Sequence, residues 1–328
     1  METVGAVVGW ALAAARAGEE YRKPLWRAAA DAASALALGR ELTGSADAIE
    51  REVGAALVGD AADHEKGLGA EAATVLLALA GRETADAVPA VLPRALGQTE
   101  DRRALPAVLA LAGHSEAVIR REVACSLSSL ATGLPDGPDV RALIALTRDR
   151  DPEVRNWATF TLGFLYELDT VEVRAVLWER TADDFPDVRE EGIRGLARRH
   201  DPGAIALVAE LLADPEGAHV HTFAAAEILG VPELLPYLED YDPDDPGVSA
   251  AVRACDPEQR GRLDALAWAL VCELARLAPE SGAGVYRERF GPDLRVGAGG
   301  VAWDVEALLR RAGGDPVRAA GLAVADLA

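Results

Sequence analysis

The chain has 328 residues, long enough for two compact domains or one elongated array; half of it is hydrophobic but only 5% is aromatic. That apolar load is Ala, Leu and Val, which suits helices packed closely on small residues. With 33 basic against 54 acidic residues the net charge is −21 and the pI about 4.6, a balance that repels phosphate backbones and argues against nucleic acid or an anionic membrane as the main partner.

The amino terminus, METVGAVVGWALAAARAGEE, has no basic segment before its apolar run and is closed by two acids, so it does not read as a signal peptide. No window reaches the roughly eighteen uncharged apolar residues of a membrane span. Cys125, Cys255 and Cys272 are too few and too scattered for a disulfide framework, and a reducing cytoplasm is the expected setting. PLWRAAADAASALALG, ADAIEREVGAALVG, AEAATVLLALAG and ADAVPAVLPRAL follow, with apolar residues at helical spacing. Gly, Pro and Asp clusters break the pattern at intervals of roughly 12 to 18 residues. No long Val/Ile/Thr alternation argues for a sheet, so the reading is all-α.

A phrase then repeats. Arg120, Arg155 and Arg189 are each followed at +3 by Val123, Ala158 or Gly192 and at +7 by Leu127, Leu162 or Leu196, with a weaker copy at His221, Ala224 and Ile228. The anchors lie 35, 34 and 32 residues apart, and an acidic, turn-forming stretch such as DRDPEVR or DDFPDVR precedes each one. A second apolar helix, DVRALIALTR or PGAIALVAELLA, separates them. Two antiparallel helices at such a period mark an α-solenoid. In each copy Asp-Pro turns the chain, and acids suit the positive helix N-terminus. Val154, Ala158, Leu162 and Leu165 are expected as one buried stripe with Arg155 at its edge.

The phrase D-x-D/F-P-x-V-R-x-x-A/G-x-x-x-L resembles the HEAT repeat, in the short bacterial form also found in phycobilin lyases. The resemblance covers Arg102 to Leu238 and implies a right-handed α-solenoid of antiparallel helix pairs. Residues 1–101 read as degenerate N-terminal repeats and 102–240 as well-formed ones. Residues 241–255 read as an acidic Pro/Asp-rich linker and 256–328 as a C-terminal helical cap. The resemblance also makes Arg120, Arg155 and Arg189 structural, bonding loop acids of adjacent repeats, with Asp149 or Asp151 and Asp183 or Asp187 available. It places second helices on a concave surface. On a helix of about 100° per residue, Asn156 and Phe160 point about 150–170° from the core arc. Arg121, Glu190, Arg194 and Thr222 are their equivalents, and Trp157 borders the row.

Other chemistry finds little support. His219 and His221 are two apart and face different ways on a helix. His64-Glu65 is a single pair where HEAT-fold iron hydroxylases need several. EDYDPDDPG spaces Asp240, Asp242 and Asp244 like a calcium loop, but Asp245 stands where Gly is required and Ala251 where the bidentate acid belongs. VGAGGVAWD holds a G-x-G-x-x-A frame outside any βαβ context and reads as a loop before a helix. No cofactor, metal or catalytic residue is expected. The resulting function is a non-enzymatic scaffold binding a protein or peptide, its acidity favouring a basic partner. Two alternatives stand beside it: a DNA glycosylase-type enzyme using Trp157, Arg194 and Asp183, and a tetrapyrrole lyase or chaperone. Between Glu210 and Glu258 twelve acids face one base, Arg253, and this block reads as a solvated face or a nucleic-acid mimic.

Overall fold

The computed structural model describes residues 3–84 and 89–327 and divides into two compact units, Met1–Val176 and Leu177–Ala328. Residues 85–88, which open ADAVPAVLPRAL, and the first two of the amino-terminal run lie outside the described residues. The first unit holds α1 (Val4–Ala17), α2 (Arg22–Ala28), α3 (Ala32–Thr43), α4 (Ala48–His64), α5 (Gly69–Ala80), α6 (Leu92–Gln98), α7 (Leu105–Ala110), α8 (Ala117–Ser126), α9 (Pro138–Leu146) and α10 (Pro152–Phe160). The division falls within α11 (Val171–Arg180). The second unit continues with α12 (Pro186–Ala197), α13 (Ala204–Leu212), α14 (Val220–Leu229), α15 (Leu235–Leu238), α16 (Pro246–Cys255), α17 (Pro257–Leu277), α18 (Val305–Arg311) and α19 (Pro316–Asp326).

Local chemistry starts these helices. Asp151, Asp245, Asp256 and Asp315 each accept a hydrogen bond from the first-turn backbone, and proline follows each of them. The acid satisfies an orphan N–H, worth roughly 1 kcal/mol, and the ring presets the first helical φ. In the first unit α4, α6, α8 and α10 pack in succession as one row, while α3 lies against α5 and α7 against α9. In the second, α12, α14 and α16 form the row and α13 packs beside α12 and α14. This is the helix-pair architecture expected of a repeat array.

The repeated arginines turn back onto their own turns. Arg120 Nη1 donates to the carbonyls of His114 and Ser115, Arg155 Nη1 to those of Asp149 and Arg150, and Arg189 Nη1 to that of Asp183. Arg120 also clamps Asp149, at 2.7 and 2.8 Å. Arg51 repeats the pattern in a stretch lacking the Val-Arg phrase, donating to Ser45 and Ala46 carbonyls and to Glu83 at 2.6 Å. Each arginine thereby satisfies carbonyls of the inter-helix turn and fixes how the helix enters.

Four expectations are corrected. Val154, Ala158 and Leu162 are fully buried as expected, but Leu165 is exposed. Residues Thr161–Leu165 form a π-turn, closed by the Tyr166 N–H to Thr161 carbonyl bond of 3.2 Å. The extra residue rotates Leu165 outward and brings Tyr166 in. Tyr166 Oη lies 2.9 Å from both the Leu127 carbonyl and Asp139 Oδ2. Asp139 is buried and also accepts from the Thr132 amide and hydroxyl. Burial alone would raise its pKa, but these bonds hold it below the ordinary carboxylate value. Tyr166→Phe removes a buried donor and is expected to lower stability by about 1–3 kcal/mol, read as a shift in urea midpoint.

The acidic stretch read as a linker ends in α16, whose Val248, Ala251 and Cys255 join Phe223, Ala226 and Ile193 in one core. The C-terminal segment is not purely helical. Strands β1 (Gly284–Arg287), β2 (Leu294–Ala298) and β3 (Val301–Asp304) form an antiparallel sheet in that order. The glycine frame read as a loop is the β2–β3 hairpin. Ala298 pairs with Val301, leaving Gly299 and Gly300 at φ +58° and +82°, a two-residue turn that needs positive φ at both positions. Val296 and Trp303 pack with Leu270, Leu274, Leu308 and Ala320 of α17, α18 and α19. The β1–β2 loop is tied to α12: Phe290 is buried, its carbonyl accepts from Arg198 Nε at 2.9 Å, and its ring lies 5.8 Å from the Arg199 guanidinium.

Candidate functional site

In the first unit the row of α6, α8 and α10 holds a pocket of about 520 Å³. Arg94 and Gln98 reach it from α6, Arg121, Glu122 and Cys125 from α8, and Trp157 from α10. Arg121 and Trp157 thus line one pocket. Trp157 is 38% exposed and meets Phe160 edge-on at 5.7 Å, and Phe160 stacks on Phe164 at 5.6 Å. Phe160 and Asn156 are half-buried, and Asn156 Oδ1 finds no hydrogen-bond partner. Burial, with the Glu122 charge adding to it, pushes the Cys125 thiol up to about 12, so it is no nucleophile near neutrality.

The second-unit positions behave differently. Arg194 is only 8% exposed and lies 3.3 Å from Glu191, one turn earlier on the same helix. Burial lowers the Arg194 pKa and raises that of Glu191, each opposed by the other's charge. Thr222 is buried because α14 is enclosed by α12, α13 and α16 and presents apolar residues on several sides. The outward orientation expected for these two is therefore corrected. Glu190 remains half-buried, 3.9 Å from His219. Asp183, the acid of the glycosylase-type alternative, caps the Phe185 amide and pairs with Arg180 at 3.3 Å.

Sequence reasoning missed an acid beside the first-unit pocket. Asp60 sits in the apolar run AALVGDAA and is fully buried. Its Oδ1 accepts from Gln98 Nε2 at 3.0 Å and lies 3.5 Å from Arg22 Nη2. Burial raises its pKa against the pull of Arg22, Gln98 and Arg94. One turn on, the His64 ring lies 4.3 Å from that of Trp26, tilted by 36°, while the Trp26 indole donates to Asp63 at 3.2 Å. An acid interrupting an apolar helical run was the available signal.

The second unit has its own cleft of about 780 Å³ among α14, α16, α17 and the sheet. Glu227, Asp293 and Glu306 face Arg253, Arg260 and Arg310 there. Burial and then neighbouring carboxylates push both Glu227 and Asp293 up. Among the described residues no group of three or more His, Cys, Asp or Glu could hold a metal. The calcium-like spacing is spent on local structure: Asp242 accepts from the Asp244 amide and Asp245 caps α16. Also among the described residues, no helix is long and apolar enough to cross a membrane.

The family model described as HEAT repeats matches residues 73–163 and 140–229. Protein YibA of Escherichia coli (strain K12) is 30% identical over 121 residues, 37% of this chain and 41% of YibA. The match thus spans less than half the length of that relative. The X-ray structure of YibA superposes with a TM-score of 0.55 at 23% identity, covering 71% of this chain and 86% of that one. The complex of CpcE and CpcF of phycocyanin lyase from Nostoc sp. PCC7120 gives 0.45 at 17% identity, covering 67% and 86%. The rows of paired helices, the arginines folded back onto their turns and the matched segments lead to one conclusion: across residues 73–229 this chain is an array of HEAT repeats.

Proposed function

We propose that this protein is a non-enzymatic binding scaffold whose first unit holds an extended segment of a protein partner across α6, α8 and α10. The observation that carries this reading is the pocket joining Trp157 to Arg94 and Arg121. An exposed indole at the edge of a groove is the usual anchor of a peptide contact, because it offers large area at low conformational cost. The two guanidiniums favour a carboxylate on the segment, since Arg binds carboxylate in two-pronged fashion. The net charge of −21 favours basic flanks around that acid and speeds their approach.

A peptide array probed with the wild-type chain, Trp157→Ala and Arg121→Glu tests this. The wild type is expected to retain peptides pairing an apolar side chain with an acid. Each variant should lose about tenfold or more in affinity, the typical consequence of removing a central anchor. Equal retention by all three, with circular dichroism unchanged, would overturn the assignment of this face.

A further inference from the structure

The 21-residue helix α17 carries apolar residues on both of its sides. Its core side is Ala267, Leu270, Val271 and Leu274, which pack with the sheet, α18 and α19. A surface helix normally opposes such a stripe with charged and polar residues. On α17 the opposite side instead runs Gly261, Ala265, Trp268, Ala269 and Cys272, all of them exposed, Trp268 to 59%. An uncovered indole among small residues has the composition of a contact face, because the small residues let another backbone close in beside it.

The charges at the two ends of this face say what fits it. Where two helices pack side by side, contact positions recur at alternating steps of three and four residues. One such seam runs Glu258, Arg262, Ala265, Ala269, Cys272 and Arg276, and every member is exposed. These positions are symmetric about Ala267. A two-fold axis there, with a second α17 running antiparallel, sets Glu258 against Arg276, Arg262 against Cys272 and Ala265 against Ala269 of the other copy. The acid at each end meets a base, and Arg262 falls one position from the other copy's Glu273. The alanines at the centre allow the helices to approach to about 8 Å, and Trp268 lies beside the axis where it packs against them.

Within one copy these charges are only loosely engaged. Arg262 pairs with Glu258 and Arg276 with Glu273 along the helix, both arginines well exposed, and such pairs contribute little. Exchanging them for pairs across a covered face therefore costs little. Asp264, at the edge, is already held by Arg287 at 2.6 Å. Two arginines and two glutamates leave the face neutral on a chain of net charge −21. A basic or an acidic partner would meet half of these charges opposed, whereas a second copy meets them matched. Repulsion between the whole chains is screened beyond about 8 Å at physiological salt. We propose that α17 is a homodimer interface, two copies packing antiparallel through Glu258, Arg262, Ala265, Ala269 and Arg276 with Trp268 as the anchor. This interface needs nothing from the first-unit groove.

Sedimentation velocity of the full chain over a concentration series at physiological salt tests it. One helix face makes a small interface, so the wild type is expected to dimerise with a Kd on the order of 10 μM. Glu258→Arg sets arginine against arginine at both ends, and Arg276→Glu sets glutamate against glutamate. Each alone should weaken dimerisation by about tenfold. Mixed together, the two variants carry opposite charges at every end and should associate at least as well as the wild type. Trp268→Ser, at an exposed position, should abolish the dimer with circular dichroism unchanged. A wild type that stays monomeric throughout, leaving the face to a different protein, or a dimer that survives Trp268→Ser, would overturn the interface. A dimer that depends on Trp268 but ignores both charge reversals, or that mixing does not restore, would equally overturn it, because the charge symmetry is what selects a second copy.

Discussion

Arg120→Ala is expected to lower the stability of the first unit by about 3–5 kcal/mol, the range for breaking a buried ion pair by removing one partner. The guanidinium and the Asp149 carboxylate are 6% and 10% exposed and meet through two bonds of 2.7 and 2.8 Å. The same guanidinium also satisfies the carbonyls of His114 and Ser115. Truncation therefore strands a buried carboxylate and two carbonyls at once. The pH dependence has a definite sign. Burial alone would raise the Asp149 pKa, but the bonds from Arg120 and the Asp151 amide, with the Arg120 charge, hold it below its ordinary value. A depressed carboxylate contributes stability above its unfolded pKa, near 4, and loses it as pH falls through the folded value. The gap between wild type and variant should thus be full at pH 7 and narrow below about pH 4. Urea unfolding read by hydrogen exchange in α8 and α10 measures it. Arg103→Ala, at the exposed pair with Asp101, should leave the midpoint unchanged. A small, pH-independent effect at Arg120 would mean that the pair is not a fixed element of the repeat.

The repeat was legible because its chemistry recurs: the turns before α8, α10 and α12 each lead into a buried stripe and have an arginine bonded to their carbonyls. Arg51 shows the limit of the phrase. It makes the same backbone bonds five and six residues upstream and has Gly54 and Val58 at +3 and +7, yet Glu50 stands where the better copies have an apolar residue. Bond geometry is the deeper signature and the apolar neighbour the shallower one. The sheet escaped because its strands are four or five residues long, too short for a period of two to stand out. A helix-face argument assumes one solvated side, which Thr222 and Arg194, both buried, do not have. α14 has hardly any, and Arg194 is paired to Glu191. The π-turn after α10 similarly defeats a fixed 100° step, turning Leu165 out. Asp60 was visible as an anomaly in an apolar run, but its partners Gln98 and Arg22 are 38 residues away in either direction, and only the packing of α2, α4 and α6 assembles them.

One substitution made at two glycines should move stability in opposite directions. Both Gly9 and Gly54 lie inside helices, where alanine is favoured by up to about 1 kcal/mol through backbone entropy and propensity. At Gly9 a new Cβ meets nothing within 4 Å, so Gly9→Ala is expected to stabilise by about 0.5–1 kcal/mol. At Gly54 the same atom would lie 2.7 Å from Leu42 Cβ, 2.8 Å from the Thr43 amide and 3.0 Å from the Gly39 carbonyl. Gly39 is reciprocal, its own Cβ falling 2.7 Å from Val58 Cγ2 and 3.0 Å from the Gly54 carbonyl. The two glycines therefore set a crossing of α3 on α4 that is close enough for backbone contact, and backbone cannot yield as a flexible side chain can. Overpacking a well-filled contact costs about 1–3 kcal/mol or more, which outweighs the propensity gain, so Gly54→Ala should destabilise by about 2 kcal/mol net. Urea midpoints of the two variants, measured side by side, decide it. A stabilised Gly54→Ala would show that α3 and α4 do not cross at that distance. An unchanged Gly9→Ala would show that α1 does not hold its helix through Gly9 in solution.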